Sequence, residues 1–275
     1  MSALPNFSQH WQTTLNWQPT PAQQALFEQL FAAIASGNQQ MNLTRITEPT
    51  EFWEKHLWDA LSGLAPWLSL AAQPDWLPQL PSAKAIDVGT GPGIPGIPAA
   101  IALPNWQVTL LDSTQKKVRF LQELGAQLSL SQPLKAIADR AEFLAHQPSH
   151  RELYDVVMLR AVGSAATCAE YALPLLKVGG TAILYRGQWH DEDSQQLDAV
   201  AAQLGGRLMM VTPWQTPLSQ GTRHCLYLHK HTATSEDFPR AVGLPAKSPL
   251  GICTYNNSPK AENGCKGSAV TNPND

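Results

Sequence analysis

The sequence predicts an open, mostly parallel α/β sheet with helices on both faces, preceded by a helical cap. Three observations carry that expectation. From residue 84 onward, short apolar runs of strand type alternate with segments of helical periodicity. The stretch AIDVGTGPGIPGIPAAIALPNWQVTLLDS (85–113) has the form strand, glycine turn, helix start, second strand, which is half of a βαβ unit. Before residue 70 the apolar residues recur at helical spacing instead.

Residues 1–20 are polar with two tryptophans, and the periodic pattern begins at Pro21, a residue suited to the first turn of a helix. Ala25, Leu26, Leu30, Phe31 and Ile34 follow at helical spacing up to Gly37. A second helix is expected over 49–68, with Phe52, Trp53, His56, Leu57, Ala60, Leu61 and Leu64 on one side. The three prolines of AAQPDWLPQLP (71–81) read as a linker. Strands are then expected at AIDV, at QVTLLD after a helix from about Pro95, near LKAIAD and at YDVVML. A helix near 168–176, the strand GGTAILYRG, a helix near 193–204 and the strands RLMMVT and HCLYLHK complete the series. The last two lack a helix between them, as in an antiparallel edge hairpin. The expected division is an N-terminal segment and cap (1–72), a linker (73–83), the sheet domain (84–250) and a polar tail (251–275) expected to be disordered.

A chain of 275 residues can bury a core without disulfides or metal. The net charge of −3 carries no global sign of a polyanion partner. Residues 1–80 hold only two basic residues against six acids, so a nucleic-acid surface is expected as a local patch in the later part. Cys168, Cys225, Cys253 and Cys265 have neither CxxC spacing nor a His/Cys cluster, which argues against a zinc site and for a reducing cytoplasm. No apolar run is long enough to span a membrane, and the first residues lack the features of a signal peptide.

Within the first βαβ half, residues 91–96 (GPGIPG) spell the dinucleotide fingerprint GxGxxG. Asp112, ending the second strand, could accept the ribose hydroxyls of either a dinucleotide or S-adenosylmethionine. Asp87 separates the two: DxGxGxG (87–93) sets a carboxylate where a dinucleotide enzyme would hold pyrophosphate. Pro92, Pro95 and Pro98 also remove backbone donors that a pyrophosphate cradle needs. Asp87, Gly89, Gly91 and Asp112 therefore favour S-adenosylmethionine, against a dinucleotide and against a turn of purely structural purpose.

DVGTGPGIPGIP, with MNLT (41–44), KHLWDAL (55–61), LLDSTQKKVRFL (110–121), DRAEF (139–143), YDVVMLRAV (154–162), GTRH (221–224) and FPRAVGLPAKSPL (238–250), resembles the ribosomal RNA small-subunit methyltransferase G family, also called glucose-inhibited division protein B. The resemblance covers about residues 22–250 and looks most like the cyanobacterial or plastid branch. It implies a Rossmann-like class I methyltransferase with an N-terminal helical cap, which uses S-adenosylmethionine to methylate N7 of a guanine in the 16S rRNA of the small ribosomal subunit. It implies Gly89 and Ile94 at the cofactor loop, Asp112, Ser113 and Thr114 at the ribose, Ala141 and Glu142 beside the adenine, and Arg160 after the fourth strand. Two departures stand out: YRG puts Arg186 where many relatives have lysine, and DAL (59–61) replaces DSL.

Enzymes that methylate an exocyclic amine usually show Asn or Asp with prolines and an aromatic after the fourth strand, whereas this chain has LRAV. Guanine N7 has an available in-plane lone pair and no proton to lose, so alignment suffices and no general base is needed. Arg160 and Arg186 are the candidates for orienting the guanine, through O6 or a phosphate, since a fork bonded to N7 would block attack. For Arg160 a salt bridge to Asp87 or a contact with the cofactor carboxylate competes with that role, and for Arg186 a plain surface position does. His56 and Asp59, three apart on one helix face, read first as structural. Of the six tryptophans before residue 80, most read as core, although one could stack on an unpaired base. Lys116, Lys117 and Arg119 read as a solvated face. Arg223, His224, Lys230, Arg240 and Lys247 form the expected RNA patch. A silent RNA-binding module with the same pocket and a dinucleotide oxidoreductase are the competing functions.

Overall fold

The computed structural model describes residues 4–69 and 73–251. The polar tail from 252 onward, and residues 70–72 at the start of the proline-rich stretch, lie outside the described residues.

Seven strands form one sheet: β1 (Ala83–Val88), β2 (Trp106–Asp112), β3 (Lys135–Ala138), β4 (Tyr154–Arg160), β5 (Leu176–Arg186), β6 (Gly206–Gln215) and β7 (Thr222–Lys230), in the order β3-β2-β1-β4-β5-β7-β6. β1 to β5 are parallel, while β7 runs antiparallel between β5 and β6. The expected hairpin is present, with its second strand inside and β6 at the edge. The strand order, not the chain direction, switches between β1 and β4, and the carboxyl ends of those two parallel strands are where open α/β sheets bind ligands.

Strand periodicity divides the core in two. On β4, Val156 and Met158 join a cluster on one face, and Val157 and Leu159 one on the other, because successive side chains alternate. The second cluster packs against α9 (Ala165–Ala172) and α10 (Asp191–Gln203). The first is continuous with the N-terminal cap: Trp11, Phe27, Trp53, Trp58 and Trp106 are all buried within it. Tyr185 and Tyr227, from β5 and β7, donate their hydroxyls to the carbonyls of Ala60 (2.7 Å) and Gly63 (3.1 Å). The cap is therefore half of the sheet's own core, and truncating the fully buried Trp58 to alanine would cost about 3–5 kcal/mol.

The cap contains α1 (Ser8–Leu15), which the sequence did not announce because only Trp11 and Leu15, one turn apart, are buried from it. α2 (Pro21–Asn38) starts at Pro21 as expected, with Thr20 and Gln23 forming a reciprocal capping box. The helix expected over 49–68 is instead broken into α3 (Pro49–Phe52), a π-helical stretch (Trp53–Trp58), α4 (Asp59–Ser62) and α5 (Ala65–Leu68). Trp53, Glu54, His56, Leu57 and Trp58 are all buried along this wide turn. Around the sheet lie α6 (Gly96–Ala102), α7 (Gln115–Gln127), α8 (Ala141–Leu144) and, after β7, α11 (Leu244–Lys247).

Candidate functional site

The loop after β1 is built on glycine. Gly89, Gly91 and Gly93 have φ of 73°, 58° and 96°, a region that favours glycine, and a Cβ on Gly96 would strike Leu110 and Asp87. Asp87 is buried, and its Oδ2 accepts the Gly96 N–H (2.7 Å) and the Thr90 hydroxyl (2.5 Å). Its Oδ1 is buried without a partner, and burial pushes its carboxyl up to about 6. Asp112 at the end of β2 ties the loop to the next turn, accepting N–H groups from Gly91 (3.1 Å) and Thr114 (2.8 Å), with Lys117 Nζ 3.7 Å away.

A cavity of about 220 Å³ opens beside this loop. Of the sequence candidates, Gly89, Asp112, Ser113, Ala141 and Glu142 line it. Gly91 and Thr114 serve it through Asp112, whereas Asp87 and Ile94 are buried in the floor of the loop region. Val162, Gly163, Thr167, Tyr171 and Ala246 also line it and were missed. Only the position of Val162 and Gly163 just past β4 could have pointed to them. Glu142 Oε1 accepts from Arg140, Tyr171 and Gly243, while its Oε2 is buried without a partner. Burial opposes ionisation there, but the Gly243 N–H and Arg140 hold the carboxyl below its usual value.

A second cluster gathers four of the motifs quoted from the sequence. Arg160, at the end of β4, donates Nη1–H to the Lys55 carbonyl (2.7 Å) and to Asp59 Oδ2 (2.9 Å), and Nη2–H to His56 Nδ1 (3.0 Å). Because Nδ1 accepts, the His56 proton sits on Nε2, which is 2.8 Å from the Thr44 hydroxyl. Burial, and then the charge of Arg160, push that imidazole down to about 3. Arg223 from β7 stands 3.6 Å from the same Asp59 carboxylate. Glu54 of the π-helical stretch fixes the approach, accepting the N–H groups of Leu218 (2.6 Å) and Ser219 (2.8 Å) in the turn before β7. Arg160 thus pairs with the cap, not with Asp87, and does not line the cavity.

Arg186, at the end of β5, donates to the carbonyl of Gly163 on the cavity rim (2.9 Å) and to Cys168 Sγ (3.0 Å). Burial holds that thiol up at about 11. His224, opposite Arg186 in the β5–β7 register, donates Nδ1–H to the Gly187 carbonyl (2.6 Å).

The expected RNA patch needs two corrections. Lys230 is fully buried, its ammonium donating to Glu152 (2.7 Å) and the carbonyls of Leu173 and Leu176. It lies seven residues along β7 from Arg223, about 23 Å away at the opposite end of the sheet. Arg240 forks onto Glu170, which is wholly buried, at 2.9 and 2.7 Å, so its charge is already matched. Lys247 remains exposed on α11. Lys116 is exposed, as read from the sequence, and also donates to the Gln40 carbonyl, tying α7 to the cap. Among the described residues no helix is long and apolar enough to cross a membrane, and no group of three His, Cys, Asp or Glu could hold a metal.

The residues present fit an adenosine-type ligand with a charged amino end. A glycine loop lets the backbone approach, Asp112 closes the adjacent strand, and the spare buried oxygens of Asp87 and Glu142 leave acceptor capacity at two places.

The family model for rRNA small subunit methyltransferase G matches residues 23–224. A protein of Trichormus variabilis named ribosomal RNA small subunit methyltransferase G is 51% identical over 247 residues, covering 90% of this chain and 98% of its own. Its namesake from Microcystis aeruginosa is 53% identical over 227 residues, covering 82% and 99%.

Proposed function

Given that the chain belongs to the rRNA small subunit methyltransferase G family and is a methyltransferase on a Rossmann-like fold, we propose that it methylates N7 of a guanine in 16S rRNA with S-adenosylmethionine as donor. The dinucleotide alternative falls with the family assignment. One observation carries the finer reading: a glycine-loop cavity closed by Asp112 and a surplus-cation cluster around Arg160 stand together at the carboxyl ends of the strands.

S-adenosylmethionine, when bound, supplies a methyl group on a sulfonium. Asp112, Ser113 and the Gly89 loop would hold its ribose, Ala141 and Glu142 the adenine side, and Asp87 the cationic amino end. The remaining work is alignment. Arg160 is held by Asp59, His56 and the Lys55 carbonyl, which fix the plane of its guanidinium. His56 is no base: its Nδ1 lone pair is taken by Arg160, and its proton affinity is far below neutral. That suits N7 methylation, in which no proton leaves before attack. Arg160 and Arg223 share a single carboxylate, so one positive charge is left over for the RNA backbone or guanine O6.

The test is transfer of labelled methyl from S-adenosylmethionine to small-subunit rRNA, followed by nucleoside identification. Label in 7-methylguanosine supports the proposal, and label in any other nucleoside, or none, defeats it.

A further inference from the structure

The segment after β7 serves neither the glycine loop nor the cationic cluster, yet it is tied down at every few residues. Arg151 donates to the carbonyls of Thr234 (2.8 Å), Ser235 (3.0 Å) and Phe238 (2.9 Å). Phe238 and Leu250 pack against the second core cluster at the two ends of the segment. Between them, Arg240 is forked onto Glu170 of α9 and also donates to the Ser248 carbonyl (2.8 Å), closing 240–248 into a loop. Inside that loop, Gly243 donates to Glu142 (2.9 Å), and the Thr167 hydroxyl donates to the Pro245 carbonyl (3.0 Å).

Two of the side chains that grip this loop, Glu142 and Thr167, are themselves cavity lining. Glu142, Thr167 and Tyr171 face the 220 Å³ cavity, and Ala246 of the loop lines it too. Glu142 joins the two, accepting from Tyr171 and Gly243 on one oxygen and keeping the other unpartnered. A surface loop of this composition does not need a buried ion pair to lie on a helix, and a wholly buried carboxylate such as Glu170 is costly unless something requires its partner in place.

We propose that residues 238–250 form the outer wall of the cofactor's adenine end, and that Arg240, through Glu170, is a positioning residue for cofactor binding rather than an RNA contact. The proposal rests on reading the cavity as the adenosine site. Ala246 supplies the wall, Gly243 locks it to Glu142, and the Arg240–Glu170 fork fixes the loop against α9. The small side chain at 246 is then a size limit on the ligand.

Three variants test this with binding of S-adenosylmethionine by calorimetry, thermal unfolding, and backbone hydrogen exchange over 240–247. Ala246→Phe adds bulk at an exposed position, so the fold should be retained, and cofactor affinity is expected to fall at least about tenfold. Arg240→Ala is expected to weaken cofactor binding about tenfold, Arg240→Lys less so because the charge stays and the fork is lost. In the wild type, cofactor should slow exchange at 243 and 246. Asp112→Ala is the control on the underlying reading. If it binds cofactor like the wild type, the adenosine site is misplaced. If it weakens binding while Ala246→Phe does not, or if exchange over 240–247 ignores the cofactor, the wall proposal alone is overturned. Should Arg240→Ala fail to fold, Ala246→Phe and the exchange data still decide it.

Discussion

The two sides of the site are held by ionic clusters of similar make but different balance. On the cap side, Arg160 and Arg223 share the Asp59 carboxylate, His56 is neutral, and Glu54 spends its carboxylate on the backbone N–H groups of Leu218 and Ser219. On the side of residues 238–250, Arg140 has Glu142 and Arg240 has Glu170, one carboxylate for each arginine, while Lys247 stays exposed on α11. Two arginines on one carboxylate are less fully paired than two arginines with a carboxylate each, and under-paired cations are what attract a polyanion. Arginine count alone says nothing here, because it is the number of carboxylates per arginine that separates the sides.

The strongest way to break this contrast is Arg160→Ala. Turnover at saturating RNA is expected to fall at least about hundredfold, as when a single transition-state-orienting donor is lost, with cofactor affinity nearly unchanged. An equal fall in calorimetric cofactor affinity would move Arg160 to the other side of the comparison. Next in size is Asp112→Ala, expected to weaken S-adenosylmethionine binding roughly ten- to hundredfold through loss of a charge-assisted contact, while filter-binding affinity for RNA holds.

Salt dependence sharpens the same contrast more finely. Arg223→Ala should reduce the slope of log affinity for RNA against log salt by about one, and Lys230→Met should leave it alone, because a buried ammonium releases no counter-ion. A slope that responds to Lys230 would mean that its end of the sheet meets RNA after all.

The last effect is on stability instead of function, and it is in pH. The folded-state affinity of His56 for a proton is depressed, from an ordinary 6.5 to about 3, so the unfolded chain binds more protons across that window. This contribution to stability is complete above about 6.5 and is lost as pH falls towards 3, at no more than about 1.4 kcal/mol per pH unit for one proton. His56→Gln should flatten chemical-denaturation stability over that range. A variant that retains the full wild-type slope would show that other groups govern the acid limb.

What could be read beforehand followed from local chemistry. The glycine loop, Asp87, Asp112 and the alternating elements were legible because positive φ, strand periodicity and a strand-ending acid each leave a mark within a few residues. Charges were not. Lys230 ends a strand of alternating type and looks free, yet its counter-ion Glu152 lies 78 residues away in sequence. Arg240 and Glu170 are separated by 70. His56 and Asp59 showed their shared face at three-residue spacing, but the reason for it, Arg160, comes from β4, 104 and 101 residues on. Ala246 stood inside the quoted FPRAVGLPAKSPL stretch without a role of its own, since a small residue acquires meaning only from the cavity it borders.

The wide turn at Trp53–Trp58 gives the cap a dependence on length as well as composition. A π turn holds about one residue more than an α turn, so everything from Asp59 onward is rotated by about 100° relative to the face set by α3. Asp59 meets Arg160, and Ala60 meets the Tyr185 hydroxyl, only at that angle. Point substitutions in the stretch change what touches what locally. Removing one residue would instead dephase the whole downstream half of the cap, swinging Asp59 off both arginines and Ala60 off the sheet in one step. Reading frame along this helix is thus itself part of the geometry around Arg160, and it tolerates exchange of side chains far better than insertion or deletion.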